Sequence, residues 1–164
     1  MKLFFAILAG IIIGGGAGLG IFYHHELTNF RAASWKYPPI VVDCTFGTLK
    51  EERINDAINY WDNIDHKIGF VEMNPSSEVC SKDQIHGFII IKNAELDWPT
   101  LGKTLRKGAR IGTVDSAIIE LSIGNANMPK LLEHELGHAF GYNHLDIDGH
   151  IMNSSYDYSG YDFY

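Results

Sequence analysis

The segment HELGHAFGYNH, residues 134 to 144, constrains this chain more than any other feature of its sequence. His134 and His138 are four residues apart, and side chains at that spacing stack on one face of an α-helix, so a helical stretch brings both imidazoles to one metal ion. Glu135 lies one step around the same helix, placed to hold a metal-bound water rather than to serve as a third ligand. Gly141 can adopt a positive φ, stop the helix and turn the chain back, so that His144 completes a three-nitrogen set. Pro129 is tolerated in a first helical turn, and the pattern predicts a helix from near Pro129 to the glycine. Three neutral imidazoles with a fourth position open form the ligand pattern of a catalytic Zn2+, because structural zinc sites fill all four places with protein atoms. The bland reading is a helix with surface histidines and no metal. The longer pattern H-E-x-x-H-x-x-G-x-x-H is far more specific than H-E-x-x-H alone and argues against it.

The chain has 164 residues, enough for one folded domain. Hydrophobic residues make up 46% and charged residues 20%, a globular mix that excludes a disordered or collagenous chain. The net charge of −7 has the wrong sign for binding phosphate backbones, so no nucleic acid partner is expected. Residues 1–110 hold 12 basic and 12 acidic side chains, whereas residues 111–164 hold Lys130 against eight acids. That acidity is either a solvated surface or a field around a cation site.

Residues 3–23 carry no charge and are long enough to span a bilayer as a helix. The expected division is a transmembrane anchor or signal peptide at 1–23, a tether at 24–39 ending in Pro38-Pro39, and a folded domain at 40–164. The aromatic end of the run favours an uncleaved anchor, and its six glycines oppose one. Either form places the domain outside the cytoplasm, membrane-anchored or secreted. Cys44 and Cys80 are the only cysteines, so export allows one disulfide, and two buried thiols are the alternative.

Ile40–Phe46 is β-branched and apolar and reads as a first strand. Thr48 and Glu51 have capping-box spacing ahead of an amphipathic helix from about Leu49 to Asp65. Phe70–Met73, Phe88–Ile91, Ile111–Val114 and Ala117–Leu121 read as further strands, and residues 103–110 (KTLRKGAR) as a solvated basic turn. A strand, a helix, several strands and a last helix make an α+β domain with a mixed sheet.

The histidine segment, followed by Met152 eight residues beyond His144, resembles the metzincin clan of zinc peptidases and, within it, the matrixin group and its small bacterial relatives. The resemblance implies a twisted mixed sheet with an N-terminal helix and an active-site helix, His134, His138 and His144 as zinc ligands, and Met152 as a structural methionine turn. It implies a metalloendopeptidase that hydrolyses proteins or peptides with a zinc-activated water and Glu135 as general base. An edge strand above the metal would pair with an extended substrate, and Ile111–Val114 is the candidate. Ser154 stands where some groups of the clan carry a metal-approaching tyrosine, which leaves Tyr156 and Tyr158 as the nearby substitutes. Asp146 and Asp148 are too few for calcium and read as a solvated loop. Two other functions fit the residues: a zinc-stabilised, non-catalytic binding or structural protein of a surface or particle assembly, and a zinc hydrolase of cell-wall peptides.

Overall fold

The computed structural model describes residues 30–163. The chain divides into two units, Met1–Arg31 and Ala32–Tyr164, and the second holds the sheet and its helices. Its strands are β1 (Ser34–Trp35), β2 (Ile40–Cys44), β3 (Phe70–Glu72), β4 (Phe88–Ala94), β5 (Gly102–Lys107), β6 (Thr113–Val114) and β7 (Ser116–Ser122). Its helices are α1 (Glu51–Asn63), α2 (Ser77–Ser81) and α3 (Leu131–Ala139), followed by a 3-10 turn at Tyr156–Tyr158.

The main sheet has the order β3-β2-β4-β7-β5. The first four strands run parallel and β5 runs antiparallel to β7. Parallel strands need both faces covered, which is why the central strands are continuous apolar runs rather than alternating ones. Ile89, Ile90, Ile91, Ala117, Ile118, Ile119 and Leu121 are all buried. The fold is thus α+β with a mixed sheet, as the sequence predicts.

Helix α1 packs against α3 with Ile54, Ala57 and Trp61. Trp61 is fully buried, and its indole N–H donates to the Glu133 carbonyl at 2.7 Å. A fully buried tryptophan of this kind typically costs about 3–5 kcal/mol when cut to alanine. The expected capping box does not form: the N-cap is Lys50, whose backbone N–H donates to Asn127 Oδ1 at 2.8 Å. Thr48 instead accepts from the Asn93 amide at 3.0 Å, so a tertiary partner displaced the local one.

Cys44 on β2 and Cys80 on α2 form a disulfide, 36 residues apart in sequence. Closing a loop of that size stabilises the fold by about 4 kcal/mol on chain-entropy grounds. The bridge lies in an apolar cluster with Val42 and Ile90, flanked by Val79, Ile85 and Phe88.

Two expectations about strands are corrected. The stretch 103–110 is not a turn throughout, because Gly102–Lys107 is the β5 edge strand, with burial alternating at every residue. Ile111–Val114 is not the edge of the main sheet: only Thr113–Val114 is a strand, it pairs in parallel with β1, and Ile111 is fully exposed. The folded unit also takes in residues 32–39, where Trp35 donates its indole N–H to the Ala139 carbonyl at 2.8 Å.

The membrane reading is corrected as well. No helix among the described residues is long and apolar enough to cross a membrane, and residues 3–23, on which the anchor or signal segment rested, lie outside the described residues. An uncharged run supplies hydropathy, but its six glycines oppose the helix that a span requires. The membrane partner and the membrane-anchored placement accordingly have no support among the described residues.

Candidate metal centre

Helix α3 is held on several sides at once. Leu131, Leu132, Leu136 and Ala139 are buried in the core. Glu133, almost wholly buried, accepts two hydrogen bonds of 2.8 Å from the Arg53 guanidinium on α1. Lys130, in the left-handed region at φ 68°, precedes the helix and donates its ammonium to the Ser159 carbonyl at 2.6 Å. Gly137 must be glycine: a Cβ there would collide with the Met152 sulfur and the Trp61 ring.

The helix ends where the sequence predicts. Gly141 has φ +100°, and a Cβ on it would run into the Ala33 carbonyl, so glycine is required by both backbone conformation and space. The returning chain brings His144 to His134 and His138, and one ring nitrogen from each of the three lies within 4.8 Å of the others. Among the described residues, this is the one cluster of three or more His, Cys, Asp or Glu side chains able to hold a metal ion.

Ring orientation is set by carbonyl acceptors. His134 Nδ1 donates to the Ile151 carbonyl at 2.8 Å and His138 Nδ1 to the Tyr142 carbonyl at 2.9 Å. A carbonyl can only accept, so each Nδ1 carries the proton and each Nε2 presents its lone pair. Burial pushes both imidazoles down to about 4, so both are neutral at neutral pH. His138 Nε2 and His144 Nε2 are 3.1 Å apart. Two nitrogens bound 2.0–2.1 Å from one tetrahedral ion would be separated by roughly 3.3 Å, so this pair has a spacing that a single ion can bridge.

Glu135 is only 4% exposed, and burial pushes its carboxyl up to about 7, against the opposing effect of the Thr104 hydroxyl. Thr104 Oγ1 on β5 lies 2.6 Å from Glu135 Oε2 and 3.0 Å from the Glu135 carbonyl. Gly102, two residues earlier on the same face of β5, leaves space for that side chain: a Cβ there would come within 2.6 Å of Glu135 Oε1. Arg106, the next residue on this face, donates to the carbonyls of His138 at 2.9 Å and Tyr142 at 3.1 Å and to Asn143 Oδ1 at 2.9 Å. It therefore ties the edge strand to the turn that orients His138. Gly102, Thr104 and Arg106 are absent from the residues that the motif brings forward. Their signal is the period-2 spacing G-x-T-x-R, which begins one residue before the stretch read as a basic turn.

A cleft of about 820 Å³ runs between β5 and α3 and is lined by the three histidines and Glu135. Met152 is fully buried, and its carbonyl accepts from Leu145 N at 2.9 Å, tying the chain just after His144 to the methionine. Tyr156 lines the cleft, but its hydroxyl donates to the Pro129 carbonyl at 2.9 Å. Tyr158 is exposed and does not line the cleft. Asp146 accepts from the Ser154 hydroxyl at 2.6 Å and backbone N–H at 3.1 Å, which holds its carboxyl below the usual carboxylate range. Asp148 is exposed.

Compared with protein-family models the chain matches none, and no curated protein matches its sequence.

Proposed function

We propose that this chain is a zinc metalloendopeptidase of the metzincin type, acting on proteins or peptides. One observation carries the reading: Glu135 lines the same cleft as the three histidines, beneath a strand whose far side is unpaired among the described residues. His134, His138 and His144 would hold the ion. When bound, zinc supplies a Lewis acid that lowers the pKa of a water and stabilises charge on the scissile oxygen. The free side of β5 can pair with the backbone of an extended peptide, which suits a chain-cleaving enzyme. Glu135 takes the proton of the attacking water and returns it to the leaving amine. Thr104 fixes the direction of that carboxyl, and Gly102 gives it room.

The second reading, a zinc-stabilised binding or structural protein without turnover, is the one the histidine cluster backs better, because it asks less of the geometry. The histidine cluster alone supports it, and the near-complete burial of Glu135 against Thr104 is as compatible with a structural role as with a base. The metal-binding cluster is common to both readings. Incubating the zinc-loaded full chain with a diverse peptide library, with and without chelator, separates them. Chelator-sensitive cleavage is expected, and a chain that retains zinc while cleaving nothing is the second protein.

A further inference from the structure

Resting on the peptidase reading, we infer that the site selects extended peptides with acidic side chains two positions to either side of an apolar one, and that Lys103 and Lys107 determine this selectivity. Strand β5 has two faces. Gly102, Thr104 and Arg106 turn toward α3 and are committed to the metal centre. Lys103, Leu105 and Lys107 occupy the other face and are all exposed. Leu105 is 43% exposed, a large apolar side chain between two ammonium groups. Lys103 and Leu105 line the cleft, and Lys107 continues their row at the end of the strand.

Neither lysine makes a side-chain hydrogen bond or an ion pair among the described residues. The other cations of the cleft differ: the Arg106 guanidinium is occupied by two carbonyls and Asn143, and Lys130 by the Ser159 carbonyl. Glu120 on β7 is the residue opposite Lys103 in the ladder, but it lies on the paired side of β5 and forms no ion pair with it within 4.0 Å. The segment 102–110 carries Lys103, Arg106, Lys107 and Arg110 and no acid. A peptide added as a strand to the free side of β5 would place alternate side chains beside Lys103, Leu105 and Lys107. Directly opposed pairs of unlike charge stabilise a ladder and like charges destabilise it. The complementary sequence is therefore acidic, any residue, apolar, any residue, acidic.

The test uses the zinc-loaded full chain and three matched peptides in which an apolar residue is flanked, two positions away on each side, by Glu, Gln or Lys. Cleavage is measured as kcat/KM. Binding of the same peptides, carrying a fluorescent label, is measured as Kd on the Glu135→Ala chain. The Glu peptide should be favoured over Gln by about fivefold in both assays, with Lys below Gln, as two exposed ion pairs would give. The preference should shrink at high salt, and the double variant Lys103→Glu/Lys107→Glu should reverse it. Cleavage without charge preference, or a preference unmoved by the double variant, overturns the inference and leaves the peptidase reading standing. Charge-ordered binding without cleavage keeps the inference for the surface and removes the peptidase. Neither binding order nor cleavage removes both.

Discussion

Strands β3 and β5 are the two edges of one sheet, yet they are built differently. Strand β3 has only three residues and runs into Pro75, both of which blunt an edge against pairing with another chain. Strand β5 has six residues, and its inner face is locked to α3 by Thr104 and Arg106. A free edge is a hazard that proteins normally suppress. The long edge lies beside the histidine cluster and the short one lies away from it, which is the contrast on which the proposed strand pairing of a substrate rests.

The strongest way to break that contrast is at Glu135. Glu135→Ala should keep zinc and the fold, as read by metal analysis and circular dichroism, while turnover falls at least about 10²-fold, the lower end for a positioned acid-base group. Wild-type rates in that variant would leave the β5 side without its chemistry.

Acid tests the same side in the metal-free protein. His134 and His138 are held near 4 by burial, below their ordinary value of 6.5. Between about 6.5 and 4 the unfolded chain therefore binds protons that the folded one refuses. The two rings' contribution should be full above about 6.5 and fall as pH drops toward 4, by on the order of 2–4 kcal/mol by pH 5 for the pair, while Glu135, pushed up to about 7, works the other way and gains stability as pH falls below about 7. Urea titrations of the chelated Glu135→Gln chain at several pH values isolate the rings, and a flat profile there would mean that they are not buried in the absence of metal.

Arg106 joins the two elements whose proximity defines the site. Arg106→Ala removes its hydrogen bonds to His138, Tyr142 and Asn143 and should cost about 1–2 kcal/mol in chemical denaturation. Zinc affinity should weaken in parallel, because the Tyr142 carbonyl that Arg106 holds is also the acceptor for His138 Nδ1. Unchanged affinity would uncouple β5 from the metal.

The opposite edge should tolerate change. Phe70 on β3 is 59% exposed, and Phe70→Thr should alter stability by no more than about 0.5 kcal/mol and leave cleavage unchanged. A large loss of activity there would erase the difference between the edges.

Much of the centre was legible because its determinants are local. The spacing of His134 and His138, the helix stop at Gly141 and the return to His144 depend on helical period and on glycine's access to positive φ, both written within eleven residues. The long apolar runs of β4 and β7 were legible for a related reason, since full burial demands apolar residues wherever the strands pair. The capping box at Thr48 shows the limit: its spacing was right, but Asn93, Asn127 and the sheet offered other partners.

Which strand forms the edge beside the histidines was set by tertiary structure alone. KTLRKG lacks the β-branched density that announces a strand, and Ile111–Val114 has more of it, so local propensity pointed to the wrong segment. What makes Gly102–Lys107 a strand is the antiparallel ladder to β7 on one side and the hydrogen bonds of Thr104 and Arg106 to α3 on its inner face. The partners in that support lie 31 residues away at Glu135 on α3 and 36 away at Tyr142 in the turn after it, beyond the reach of any local window. The amino-acid sequence by itself determined which nitrogens could meet a metal; only the packed sheet decided which strand stands over them, because a polar strand is stabilised by its neighbours and not by its own composition.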